Sequence, residues 1–131
     1  SVLQTFSRIL EMFPTEKHRM VRQGLASNLR AIVAQMLLPS CKEGISVVPA
    51  VEIMLCTPVV RNLIAKGEET KVVQVIRGGK NEGMQSMIDS IAKLVNEDLV
   101  LRKDALERAP NRDQLDMALR GINVDVGKII G

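Results

Sequence analysis

Apolar residues fall at Val2, Phe6, Ile9, Leu10 and Phe13, a spacing of i, i+4, i+7 and i+8 that predicts an amphipathic helix over 2–13, stopped by Pro14. Thr15 is placed to cap the following helix, with His18 where a capping-box glutamate would stand. Met20, Val21, Leu25 and Leu29 continue that helix along one face and leave Lys17, Arg19 and Arg22 outside it. After Leu29 the period changes. Residues 31–38 (AIVAQMLL) are apolar on both sides and closed by Pro39, as a buried strand or a continuing helix would be. Residues 45–55 (ISVVPAVEIML) carry the β-branched side chains of a strand, and Pro49, which lacks an amide hydrogen, confines it to an edge or a bulge. With PSCKEG between them, the two segments predict an antiparallel pair. Gln35 and Glu52 are the polar intrusions, and Glu52 is expected at the rim or facing solvent because carboxylates are seldom buried.

Downstream the pattern is helical. Thr57 caps a helix that Pro58 opens at its first position and Gly67 ends. A short helix covers 69–77. A longer one runs from near Met84 to about Leu99, with Met84, Met87, Ile88, Ile91, Leu94 and Val95 on one face. Two further pieces follow at 102–109 and 111–120, separated by Pro110 and ended by Gly121. The tail 122–131 shows no period. The methionines at 84 and 87 read as core packing, since a flexible thioether fills irregular gaps.

Composition narrows the function classes. At 131 residues, 46% apolar and 25% charged, the chain is an ordinary globular domain or part of one. No apolar run approaches the roughly 18 residues of a membrane span, so it is not membrane-inserted, and a cytoplasmic location is expected. The net charge of +3 is small for a nucleic-acid binder. Trp and Tyr are absent, and Phe6 and Phe13 are the only aromatic rings, which disfavours base-stacking and carbohydrate sites. His18 has no second histidine or paired cysteine near it, against a zinc site. Cys41 and Cys56 stand outside any Cys-x-x-Cys spacing and read most simply as free thiols. The cluster Lys17, His18, Arg19 and Arg22 reads as a solvated helix face, with an acidic neighbour in a ring assembly as the alternative.

The stretch VIRGGKNEGMQSM (75–87) invites a nucleotide-binding reading. A phosphate loop needs G-x-x-x-x-G-K-[ST], whose glycines let backbone amides wrap the phosphates and whose hydroxyl reaches Mg²⁺. Here Gln74 replaces the first glycine and Asn81 the hydroxyl residue. The turn Gly78-Gly79-Lys80 is therefore expected to join two helices, with Gly83 allowing close approach before Met84. Amides ahead of Met84, at a helix N-terminus, are left as a site for an anion.

Two motifs carry a resemblance. PVVRNLIAKG (58–67), followed by VIRGGKNEGMQSM, resembles the C-terminal region of the secretion ATPase superfamily, and within it the PilT-like branch that retracts type IV pili in twitching motility. Arg61, Asn62, Leu63 and Ile64 match the branch's Ala-Ile-Arg-Asn-Leu-Ile-Arg-Glu motif, whereas Ala65 and Lys66 depart from it. Ile76, Arg77, Gly79, Gly83, Met84, Gln85 and Met87 supply the second motif. QTFSRILEMFP and LRAIVAQMLLP, with Gln35, Leu37 and Leu38, look like the segments that follow the family's histidine box. The resemblance spans roughly residues 2–109.

The resemblance implies an α/β fold that is mainly helical. It would be the distal part of a RecA-like P-loop NTPase domain (1–56, two helices and a strand pair), followed by a C-terminal helical region (57–131). It further implies that Walker A, the aspartate box, Walker B and the histidine box precede residue 1, so that the chain alone holds no catalytic, cofactor or metal residues. ATP and Mg²⁺ would belong to the parent enzyme. The parent's partners would be the neighbouring subunits of a homohexamer and an inner-membrane pilus platform protein. Arg61, Asn62, Leu63 and Ile64 would couple the C-terminal helices to the motor. A pilus-assembly or type II secretion ATPase is the near alternative, and a stand-alone helical interaction domain the more distant one.

Overall fold

The computed structural model describes residues 1–121; the tail at 122–131 lies outside them. The first helix, α1 (Val2–Glu11), stops short of Phe13, and of its apolar stripe Val2 and Phe6 are buried. The second, α2 (His18–Asn28), is not capped by Thr15. That residue opens a 3-10 turn, Thr15–Lys17, Lys17 holds the cap position without a side-chain bond, and a His18 ring nitrogen lies 3.0 Å from the Phe13 carbonyl oxygen. Pro14, extended ahead of the turn, is followed by a tightened entry that moves the helix cap from Thr15 to Lys17.

The ambiguous segment 31–38 is a strand. It forms β1 (Ala31–Pro39), paired with β2 (Val47–Leu55) in a two-stranded antiparallel sheet, as expected. Backbone bonds from Ser40 to Ser46 and from Cys56 to Arg30, both 2.9 Å, set the register at the two ends. They place Ile32 opposite Met54 and Leu38 opposite Val48, all four buried. Because even-numbered residues exchange the hairpin's hydrogen bonds, odd-numbered residues of β2 direct their backbone to the outer edge. Pro49 is one of these, so its missing amide costs the ladder nothing. At the same edge Gln85 forms an antiparallel bridge with Ile53.

The remaining helices are α3 (Pro58–Ala65), α4 (Val72–Gly78), α5 (Met87–Asn96), α6 (Arg102–Arg108) and α7 (Arg112–Leu119). Thr57 caps α3, its hydroxyl accepting from the Val60 amide at 3.4 Å, and Pro58 stands at the first helical position, as expected. The helix expected from Met84 starts three residues later, because residues 84–86 are drawn to the β2 edge instead.

The chain divides into two compact units. Ser1–Gln35 and Val51–Ser86 make the first, around Val2, Phe6, Met54, Val60, Ile64 and Ile76. Met36–Ala50 and the chain from Met87 onward make the second, around Leu38, Val48, Met87, Ile91, Ala105 and Leu115. Each unit draws residues from both sides of position 56/57, because the hairpin contributes to both. Met84 and Met87 are both core residues, yet of different cores. In the second unit, Asn111 caps α7 by accepting from the Gln114 amide, and Asp116 pairs with Arg102 and Arg120.

Candidate functional site

The first motif lies on α3, whose amphipathic spacing sorts its residues. Ile64 is fully buried, and Leu63 packs partly buried against the same core. Arg61 is half-buried, and its guanidinium donates to the carbonyl oxygen of Ala26. Ala26 belongs to the last turn of α2, whose carbonyls have no partner within the helix. A cation there also meets the negative end of the helix dipole. Arg61 thus ties α3 to the end of α2. Asn62, on the side of α3 away from the buried Val60 and Ile64, is exposed, and its side chain makes no hydrogen bond among the described residues. Ala65 and Lys66 are also exposed.

The second motif follows α4. Ile76 is core, and Arg77 is exposed on the helix surface. Gly79 ends the helix under the Met84 side chain. A Cβ at Gly79 would stand 2.9 Å from Met84 Sδ and 3.0 Å from its Cβ and Cγ. The close approach expected at Gly83 is therefore made by Gly79. Gly83 supplies something else, a left-handed backbone at φ 92° that reverses the chain. Gln85 then pairs with Ile53 through both backbone groups (3.0 and 2.8 Å), and its side-chain amide donates to the Val51 carbonyl at 2.6 Å. Met87 opens α5 in the other unit.

Several amides of the glycine turn are already engaged. The Gly79 amide donates to Ile76, those of Glu82 and Met84 to Gly79, that of Gly83 to Lys80, and that of Gln85 to Ile53. Amides committed to carbonyls cannot wrap a phosphate, and no helix starts at Met84 to attract an anion. Among the described residues no cluster of His, Cys, Asp and Glu could hold a metal ion.

Two polar contacts of the first unit escape the sequence reading. Glu52 is of intermediate exposure, in keeping with the rim, and makes a contact that spacing does not reveal. It lies half-buried on the inward parity of β2, between Ala50 and Met54, and its carboxylate accepts from the Val2 amide at 2.7 Å, at the start of α1. The signal was its even position in a strand whose other even positions are apolar. Arg22 pairs with Glu69 at 2.7 Å, a contact across 47 residues that spacing does not reveal. Both cysteines are free. Burial pushes the Cys56 thiol above its usual range, with the Arg61 guanidinium pulling the other way. The hydrogen bond from Lys71 holds the Glu68 carboxyl below its usual range.

No family model matches the chain. Over 112 residues it is 35% identical to a twitching motility protein of Neisseria gonorrhoeae, covering 86% of this chain and 30% of that protein. Over 109 residues it is 35% identical to the type IV pilus retractation ATPase PilT of Pseudomonas aeruginosa, covering 83% and 31%. The chain is related to the PilT-like pilus ATPases. Its backbone follows a crystal structure of the pilus retraction motor PilT with bound ADP at a TM-score of 0.72 and 29% identity, over 86% of this chain and 31% of that one. The fold is accordingly that of part of an α/β ATPase domain, mostly helical with a two-stranded sheet. The chain spans about 30% of the length of the curated relatives it matches. No helix among the described residues is long and apolar enough to cross a membrane.

Proposed function

We propose that this chain acts as the distal, non-catalytic part of a hexameric, cytoplasmic PilT-like motor that powers type IV pilus retraction. The observation that carries the reading is the backbone likeness to a pilus retraction motor over 86% of the chain. In this reading ATP and Mg²⁺ are handled by residues outside this chain. The neighbouring subunits of a homohexamer and an inner-membrane platform protein are its partners. Arg61, Leu63 and Ile64 hold α3 against the rest of the first unit, and Asn62 is the motif residue left to face a neighbour. The second motif, from Ile76 to Gln85, fastens α4 to the hairpin edge.

The departure at Ala65 and Lys66, both exposed, favours a second reading in which the motor drives pilus assembly or type II secretion. Replacing the matching segment of a full-length PilT-like relative with residues 1–121 tests the choice. Restored twitching motility supports retraction. A hexamer that hydrolyses ATP without restoring motility argues for the second reading. A chimera that folds but does not assemble would point instead to a stand-alone interaction domain.

A further inference from the structure

An open pocket of about 470 Å³ lies in the first unit between the start of α2 and the end of α3. Its charged lining is entirely basic: Arg19 and Arg22 come from α2, beside His18, and Lys66 from the cap position of α3. No acidic side chain lines it. Two carboxylates just beyond Gly67 are engaged, Glu69 with Arg22 and Glu68 with Lys71. Arg19 and Lys66 form no salt bridge among the described residues. The carbonyls of the last turn of α3 are used internally, since the amides of Lys66, Gly67 and Glu68 donate to Asn62, Ile64 and Leu63. Those three carbonyls are thereby withdrawn from competition for the cations.

The geometry points to a binding site for a phosphate-class polyanion in this pocket. Arg22 is the fixed member. Its Nε is held by Glu69 at 2.7 Å, and a Cβ at Gly67 would stand 3.3 Å from that same Nε, so the glycine leaves room for the guanidinium against the backbone. Arg19 and Lys66 supply the mobile charges from either side. Of the three permanent cations that line the pocket, Arg22 is paired with Glu69 and Lys66 also feels Glu68, and the lining itself stays net positive, which suits a multiply charged anion better than a single carboxylate. Arginine forks suit phosphate oxygens in pairs, and lysine adds a point charge. Ala65 is the one aliphatic residue of the lining and no Phe, Tyr or Trp is present, so the apolar contact offered to a nucleobase is small. The ligand is the charged group itself. This inference rests on the first unit alone and stands or falls independently of the motor reading.

Calorimetric titration of the full 131-residue chain with pyrophosphate, at constant ionic strength and neutral pH, tests it. Because the pocket is open and screened, saturable binding with a dissociation constant on the order of 0.1–1 mM is expected. Arg19→Ala and Lys66→Ala should each weaken it about tenfold, and the pair together should abolish it. Arg30→Ala, an exposed cation outside the lining, should leave it unchanged, and circular dichroism of every variant should match the parent. Absence of saturable heat at about 10 mM pyrophosphate would overturn the assignment. So would affinity that survives the double substitution, or a polyglutamate peptide that binds through Arg19 and Lys66 where pyrophosphate does not.

Discussion

The guanidinium of Arg61 donates to the carbonyl oxygen of Ala26, joining the middle of α3 to the otherwise unpartnered end of α2. A residue that resemblance alone would assign to motor coupling thus has a structural task. Arg61→Ala leaves a half-buried carbonyl without its charged donor, and a destabilisation of about 1.5–3 kcal/mol is expected. Arg61→Lys should recover only part of it, because a lysine ammonium lacks the fixed fork geometry. Urea unfolding of the three proteins checks this, and an Arg61→Ala midpoint equal to that of the parent would show that the contact contributes nothing.

Gly79 and Met84 form the second coupled pair. A methyl group at 79 would press on three atoms of a side chain that is 3% exposed, so Gly79→Ala should cost about 1–3 kcal/mol through overpacking. Met84→Ala alone should cost about 2–5 kcal/mol through the cavity it leaves. The double variant should be less destabilised than the two added together, since the new methyl then enters vacated space. Strict additivity in thermal unfolding would mean that the two residues do not compete for one volume.

Much of this fold is legible from the chain, and the exceptions share a cause. Thr57-Pro58 announces a helix start, Pro49 an edge, and Phe6 a buried stripe, because each signal is local. The start of α5 is misjudged because the apolar period runs unbroken through Met84, whereas the backbone of Gln85 is claimed by Ile53, 32 positions earlier. Thr15 fails as a cap for a local reason that composition does not carry, the 3-10 turn that begins on it. Of the site, the motif residues are readable as positions and not as contacts. Nothing in the spacing says that Arg61 ends α2 or that Arg22 meets Glu69. Glu52 is the instructive case, since its strand parity already sets it among Val48, Ala50 and Met54 while its exposure stays intermediate.

Glu52 places a carboxylate at the first amide of α1, where it meets both an unpartnered donor and the positive end of the helix. Glu52→Gln keeps an acceptor oxygen and loses the charge, and about 0.3–1 kcal/mol is expected. Glu52→Ala loses both, and about 1.5–3 kcal/mol is expected. Amide hydrogen exchange at Val2 reads the contact directly. Unchanged protection in Glu52→Ala would place the stabilisation of α1 elsewhere.

The two thiols should differ in reactivity. Only the thiolate is nucleophilic, and burial raises the Cys56 thiol in the folded protein, so its protonated form is favoured at neutral pH. This contribution to stability is present below the unfolded cysteine value and is lost as pH rises through the folded one. Cys41 is exposed. Iodoacetamide at neutral pH should therefore label Cys41 several-fold faster than Cys56, with the gap closing in urea. Mass-spectrometric mapping that finds equal rates in the folded protein would show that Cys56 is neither shielded nor shifted.

Asn62 is the remaining polar residue of the first motif, and its surroundings are the reverse of those of Arg61. It is exposed, it lies on the helix side away from the core residues Val60 and Ile64, and its side chain makes no hydrogen bond among the described residues. A surface substitution of this kind usually changes stability by less than about 0.5 kcal/mol. If the proposed motor role holds, Asn62→Ala should therefore leave folding intact and still impair movement, whereas Arg61→Ala should lower both together. The chimera of a full-length PilT-like relative carrying residues 1–121 separates the two effects, with thermal unfolding measured beside ATP turnover and twitching. Asn62→Ala chimeras that unfold and hydrolyse ATP as the parent does but twitch less would assign coupling to this side chain. Normal twitching in them would remove Asn62 from the coupling surface and leave the motif a purely structural one, carried by Arg61, Leu63 and Ile64.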